Sequence, residues 1–334
     1  MAVSENIIKI PKKLLLFMAL AFQLCRHFPA ALWLHTRRPD TLIGKFIKSR
    51  PEMRWMVLTP LVSANWNARK RIDVIKTHFS LVSAIGGILL VEPDSFSELV
   101  NLEGIMAGLH VTLDAPRWLL RDGLLSLSLW AGDKRIYMLS FCLGLQGAGT
   151  IAYVGGLQGV NLSDDGELYR NLTKQSHGIR PRDLLFDVFR SLCRSLHIAQ
   201  ILAISDAGRH HFSRYNRIWV GGDPVKGNYD EIWRDRGGEW RADGFFAIPT
   251  AAGRRAADDI PARKRAMYRS RYAMLDDIDA AVRESVAGPA MFTKHPNLGT
   301  TWRRNALAPA QGGTEPCVPA SYAPAIPATP GGGV

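Results

Sequence analysis

Leu125, Leu127 and Leu129 alternate with Ser126 and Ser128, whereas Leu184, Leu185, Val188, Phe189, Leu192, Cys193 and Leu196 recur every three or four residues. This change, from the two-residue repeat of a half-buried strand to the 3.6-residue repeat of an amphipathic helix, constrains the fold more than any other feature. Gly132 and Asp133 supply a turn, and Arg135 to Leu143 and Thr150 to Val154 read as strands on either side of the glycine-rich Gly144 to Gly149. Arg121 to Gly159 is therefore expected to be a three-stranded antiparallel meander. A Gly-Leu-Gln-Gly repeat at Gly144 and again at Gly156 reads as turn chemistry at two strand ends.

Pro181 suits the first position of the helix that follows, where a missing N–H costs nothing, and Asp183 favours its positive end. Gln200 to Ser205 reads as a short buried strand, so the section runs β-β-β-loop-α-β. Gly237, Gly238 and Gly244 punctuate a further helix and strand ending near Pro249. A last helix runs from about Pro261 to about Val286, and its first half carries Arg263, Lys264, Arg265, Arg269 and Arg271.

Upstream, residues 1–117 read as helical segments interrupted by Pro29, Pro39, Pro51, Pro60 and Pro93, with Trp66 to Phe79 amphipathic. Downstream, residues 287–334 hold eight prolines and seven glycines and read as a disordered tail. The expected class is α+β: a helical N-terminal region, then a mixed antiparallel sheet with packed helices over residues 118–286.

The 334 residues, 47% hydrophobic and 22% charged, suffice for one large core or two smaller ones. Cys25, Cys142, Cys193 and Cys317 stand far apart without a CxxC or Cys/His pairing, which points to a reducing, cytoplasmic setting. Leu14 to Phe22 is apolar after Lys12 and Lys13 but stops well short of the ~20 residues of a membrane span. No small-x-small cleavage pattern follows it, so it is expected to be an amphipathic or core-packed helix rather than an export signal. A formal net charge of +12 attracts polyanions, among them phosphorylated ligands and anionic membrane surfaces such as the inner face of the inner membrane. Nucleic acid draws only on this charge and scattered aromatics such as Trp233 and Trp240, with no recognition motif.

Walker, HExxH and GxSxG signatures are absent. The pair His210-His211 lacks metal-ligand spacing, so no metal is expected there. One constellation stands out, Thr173-Lys174-Gln175-Ser176-His177-Gly178-Ile179-Arg180-Pro181-Arg182, just before the Pro181 helix. Helix N-termini present free N–H groups, Gly178 permits close backbone approach, and Arg180 and Arg182 offer phosphate-binding forks. Thr173, Lys174, Gln175, His177, Gly178, Arg180 and Arg182 are therefore the candidate residues for a phosphate-bearing ligand. The alternative is that the arginines pair with acids such as Asp164, Asp165 or Asp187.

Several motifs carry a resemblance. Tyr153-Val154-Gly155-Gly156-Leu157-Gln158-Gly159, Leu172-Thr173-Lys174 through His177 to Asp183, Tyr229-Asp230-Glu231-Ile232-Trp233, and Ile260-Pro261 through Lys264 to Tyr268 resemble the VirK/YbjX family of bacterial proteins. Arg121-Asp122-Gly123 stands where Arg-Glu-Gly is expected. The resemblance implies a link to virulence and to resistance against envelope-directed antimicrobial peptides, with no catalytic residue to carry over. The order meander, loop, helix, strand also resembles the core of the GNAT acyltransferase fold, whose loop [QR]-x-x-G-x-[GA] is matched by Gln175 to Arg180 except that Arg180 takes the small final position. That likeness implies acyl-CoA or another phosphate-bearing acyl donor, and acyl or aminoacyl transfer. The general base stays open, with Tyr215 and His210 as candidates. The alternative is a non-catalytic basic module peripheral to the inner membrane.

Overall fold

A computed structural model describes residues 12–115, 117, 120–159, 166–213, 215–216 and 228–294. Four helices come first: α1 (Lys12–Arg26), α2 (Phe28–His35), α3 (Leu42–Ser49) and α4 (Ala68–Ile85). The strands β1 (Ser95–Asn101), β2 (Leu109–Asp114), β3 (Leu125–Ala131), β4 (Lys134–Gln146) and β5 (Gly149–Gly159) follow. Next come α5 (Gly166–Gln175), α6 (Pro181–Ser195), β6 (Gln200–Ile204), α7 (Tyr229–Asp235), β7 (Glu239–Trp240), β8 (Phe245–Ile248), α8 (Arg265–Ala287) and β9 (Thr293–Lys294).

The strands form one nine-stranded sheet in the order β7-β8-β6-β5-β4-β3-β2-β1-β9. Among the described residues only β5 and β6 pair in parallel. A parallel pair needs a long crossover, and α5 and α6 supply it. The meander, the Pro181 helix, the Gln200 strand and the helix beginning near Pro261 are found where the apolar periods place them.

Three expectations are corrected. Ser95–Asn101 and Leu109–Asp114 are strands rather than helix, so the sheet begins upstream of residue 117. Helices α2 to α4 and the sheet also share one hydrophobic core, which runs from Ala31 to Val282. Gly144 and Gly156 lie inside β4 and β5, not in turns, and they answer packing needs. A Cβ on Gly144 would stand 2.6 Å from the Tyr153 ring, and one on Gly156 would stand 3.0 Å from the Asp122 side chain. The expected tail begins as part of the fold, because Thr293 and Lys294 pair with β1. Residues 295–334, like Asp164 and Asp165, lie outside the described residues.

Buried arginines hold irregular backbone to the sheet. Arg71 donates to Trp66 O at 2.9 Å and Val57 O at 2.6 Å, Arg190 to Arg236 O at 2.6 Å and Pro249 O at 3.2 Å, and Arg50 to Ala115 O. Each guanidinium replaces water at carbonyls that no strand or helix pairs. Burial lowers Arg50 and Arg71 to about 10, a range in which both remain charged at neutral pH.

His78 of α4 is fully buried and accepts a hydrogen bond from Leu143 N at 3.0 Å, joining α4 to β4. Burial lowers its pKa from 6.5 to about 3. The unfolded chain therefore takes up a proton near pH 6.5 that the folded chain refuses until about pH 3, and stability is lost as pH falls through that window. Urea midpoints of the wild type should drop between pH 7 and pH 4.5 by more than those of His78→Leu, which lacks the group; equal drops would show that His78 is not held neutral.

Candidate functional site

Parallel strands collect functional groups at their carboxyl ends, and here β5 and β6 do not stay paired that far. They pair from Ile151 with Gln200 to Val154 with Ala203. Beyond that rung, Leu157 turns its N–H and C=O to a single side chain. The Tyr229 hydroxyl accepts from Leu157 N at 2.8 Å and donates to Leu157 O at 3.0 Å. One buried hydroxyl thus replaces a rung of the missing strand, and burial pushes its pKa up to about 12. Tyr229 is fixed by the end of β6: Trp233 Nε1 donates to Ile204 O at 2.8 Å, and Asp206 and Asp230 each accept from the other's backbone N–H at 3.2 and 2.8 Å.

The parting begins at a bulge. Ser140 pairs with Gly156 and Phe141 with Val154, which leaves Gly155 as the extra residue. A Cβ on Gly155 would stand 2.1 Å from Asp122 O and 3.1 Å from Val62 Cα, so only glycine lets these two loops lie on the strand. Val62 itself has φ 56°, and Ser63 N donates to Leu61 O at 2.6 Å across it, a γ-turn. A β-branched residue in this region is strained, at a cost of about 1–3 kcal/mol, and such strain gathers at functional sites. Val62 N donates to Arg121 O at 2.7 Å and Ala64 N to Gly208 O at 2.8 Å, so three distant loops meet here.

Their meeting point is polar. Asp122 Oδ1 lies 3.1 Å from His210 Nδ1, with both residues buried, and Gln158 Nε2 donates to Asp122 Oδ2 at 3.1 Å. The His210 and His211 rings lie with centroids 3.9 Å apart and their planes tilted by 36°. One ligand-type atom from each of Asp122, His210 and His211 falls within 4.8 Å of the others. Burial, and then the neighbouring His210, lower the pKa of His211 to about 4, which leaves it a neutral imidazole at physiological pH. A carboxylate and two imidazoles in this arrangement can accept or orient a proton, or hold a cation. Of the two base candidates, His210 sits in this group; Tyr215 lies beside it, its ring under Arg121 at 5.0 Å.

The Gln175 to Arg182 loop has a different local structure from a free helix N-terminus. The amides of Ser176, His177 and Gly178 donate to Leu172 O, Lys174 O and Thr173 O and so cap α5, and Ile179 N donates to Ser176 O within the turn. His177 and Gly178 have φ 50° and +81°, the left-handed turn of such a cap. Thr173 Oγ1 donates back to Tyr169 O at 2.7 Å. Arg271 of α8 donates to His177 O at 3.0 and 2.6 Å, and its Nη2 lies 2.8 Å from where a Cβ on Gly178 would be. Arg182 pairs with Asp183 at 3.1 Å, while Lys174, Gln175 and Arg180 are exposed.

The loop flanks the same strand end as the polar group, from the other face. The charges of Arg182 and Arg180 act on Tyr137, whose ring stands where a side chain on Gly159 would be. Gln158, the preceding residue, reaches Asp122. Successive strand residues point to opposite faces. Asp122, Gln158 and Tyr229 were missed because no spacing links loops so far apart in sequence. The signal was the Gly155-Gly156 pair inside a strand, which marks a close backbone approach.

A family model described as "Protein of unknown function (DUF535)" matches residues 11–284. The chain belongs to the DUF535 family. It is 25% identical over 298 residues to the Escherichia coli protein described as "Uncharacterized protein YbjX", covering 79% of this chain and 87% of that one. It is 29% identical over 209 residues to an uncharacterized Haemophilus influenzae protein, covering 61% of this chain and 65% of that one, so it spans just under two thirds of that relative's length. The VirK/YbjX resemblance read from the motifs is thus borne out. No solved structure matches. DUF535 membership places the Asp122, Gly155, Gln158, His210 and Tyr229 positions inside the matched region and assigns no activity to them.

Proposed function

We propose that this DUF535 protein transfers an acyl or aminoacyl group from a phosphate-bearing donor to an amine or hydroxyl acceptor at the carboxyl ends of β5 and β6. The observation that carries the reading is that the parallel pair β5 and β6 parts after Val154 and Ala203 and leaves a backbone N–H and C=O of Leu157 to a side-chain hydroxyl. A donor with an amide-bearing arm would take those two groups in place of Tyr229. Its phosphate would lie toward exposed Arg180 and Lys174 on one face, and its acyl carbon toward Asp122, His210 and His211 on the other. The acceptor's nitrogen or oxygen would attack the thioester or ester carbonyl and give up its proton to the Asp122 group, and the C–S or C–O bond would break to release the donor's thiol or alcohol, which takes that proton. The sheet order, with a crossover helix starting beside the parting strands, agrees with the GNAT likeness. An acceptor in the bacterial envelope would connect this chemistry to resistance against antimicrobial peptides.

Thermal unfolding in the presence of acyl-CoA, acylated carrier protein or aminoacyl-tRNA tests this. A donor at 100 times its Kd should stabilise the chain by about 2.7 kcal/mol. Arg180→Ala should raise the Kd about tenfold, the effect of losing one charge-assisted hydrogen bond. Absence of stabilisation by all three donors would remove the reading.

One observation favours a second reading, a basic module bound to the inner membrane. Along α1 and α2, Leu14, Leu15, Phe17, Met18, Phe22, Phe28 and Leu32 are each exposed by 47% or more, far beyond a scattered apolar surface. A cleft of about 430 Å³ beside them is lined by Arg26, His27 and Arg69 together with Phe22, Gln23 and Asn67. Among the described residues no helix is long and apolar enough to cross a membrane, and an in-plane helix with cationic flanks fits an anionic surface. The chain should co-sediment with vesicles containing anionic lipid and not with neutral ones, and Phe17→Asp with Phe22→Asp should abolish this; binding indifferent to lipid charge would count against it.

A further inference from the structure

We propose that Asp122, His210 and His211 form a binding site for one divalent transition-metal ion, a centre that their spacing in sequence conceals. Three independent features of the site carry this. The donor set is two imidazoles and one carboxylate, the three-ligand pattern that holds catalytic zinc or iron while leaving coordination positions open. The three side chains come from two loops that the backbone forces together: Asp122 by the close approach of its loop to Gly155, and the histidines by the 3-10 turn of His210–Phe212 after β6.

The second feature is an unsatisfied buried atom. His210 is only 5% exposed, yet its Nδ1 makes no hydrogen bond, although Asp122 Oδ1 is 3.1 Å away. A buried nitrogen so near a carboxylate oxygen would ordinarily be turned to bond it, because leaving it unpaired costs about 1–3 kcal/mol. Two donors of one tetrahedral metal, with bonds of about 2.0–2.1 Å, stand about 3.3 Å apart without bonding each other. The observed separation is that of neighbouring ligands in one coordination sphere. His211 offers its ligand atom within 4.8 Å of the other two and completes the set.

The third feature is the support around the carboxylate. Gln158 Nε2 holds Asp122 Oδ2 at 3.1 Å, which fixes the side chain and leaves Oδ1 to face the histidines. Metal-ligating carboxylates are oriented by such outer partners. Among the described residues, the cysteines that would compete for a soft ion are elsewhere: Cys142 and Cys193 are buried in the core, and Cys25 is on α1.

This inference rests on the same site as the transfer reading but not on its reaction, since metal binding is measured without any donor. The full-length chain, stripped with chelator and exchanged into metal-free buffer, is titrated with Zn2+ by calorimetry and with Co2+ by visible absorption. One equivalent of Zn2+ should bind with a Kd below about 1 μM, some 8 kcal/mol. Co2+ should give ligand-field bands of a low-coordinate nitrogen and oxygen site with no thiolate charge-transfer band. Asp122→Asn, nearly isosteric, and His211→Gln should each remove that equivalent, Gln158→Leu should weaken it about tenfold, and His27→Gln should leave it unchanged. A folded wild-type chain that binds no equivalent, or an equivalent that survives both Asp122→Asn and His211→Gln, would overturn the proposal. Donor stabilisation without metal binding would leave the transfer reading standing alone, and metal binding without donor stabilisation would do the reverse.

Discussion

Two hydrogen bonds between the Tyr229 hydroxyl and the Leu157 backbone, one accepted and one donated by the hydroxyl, stand where a further rung between β5 and β6 would otherwise be. Leu157 already pairs with Leu139 of β4 on its other side, so its free N–H and C=O face the gap and must be satisfied. A tyrosine hydroxyl can accept and donate at once, which few side chains can. Tyr229 fills the gap on the β5 side, while on its other edge β6 stays paired with β8 from Ile201 with Ile248 to Ile204 with Phe245. The loop after β6 then carries His210 and His211 back over the end of β5. Remove that substitution and the strands have either to zip together or to expose two backbone groups.

The surrounding strain follows from the same geometry. Gly155 bulges out of the β4–β5 ladder and lets Asp122 and Val62 lie on the strand, and Val62 pays for the fit with a left-handed backbone angle. That strain is held by buried neighbours: Leu61 and Val62 are fully buried, and Trp66 packs edge-on to Tyr153 at 5.0 Å. A core that overdetermines a strained turn is the usual condition under which such a turn persists.

Much of this fold was legible because apolar periodicity reports burial directly. Leu125, Leu127 and Leu129 all face the core, and Pro181 opens its helix as its missing N–H predicts. The strands at Ser95–Asn101 and Leu109–Asp114 were not legible, since Ser95, Ser97, Thr112 and Asp114 are buried polar residues and break the alternation. Asp114 is held there by Arg135 at 2.9 Å and Ser128 at 3.0 Å, partners that sequence cannot reveal. Net charge overstates the basic surface for a related reason. Arg50, Arg71, Arg135 and Arg190 are buried, so part of the cationic excess holds the interior together instead of facing a polyanion. The Gln175 to Arg182 loop was found because glycine and arginine before a helix are conspicuous, but three of its amides serve the end of α5. The Asp122 group was hidden because its members come from loops joined only by the meander's close approach.

Amide hydrogen exchange at Leu157 tests the central claim that β5 and β6 part and that one hydroxyl stands in for the missing rung. In the wild type the Leu157 amide should be protected alongside those of β6. In Tyr229→Phe it should exchange about tenfold faster or more, the loss of roughly one buried hydrogen bond, while the amides of Ile201 to Ala203 keep their protection. Unchanged protection of Leu157 in Tyr229→Phe would mean that the strands remain paired to their ends, and would contradict the account.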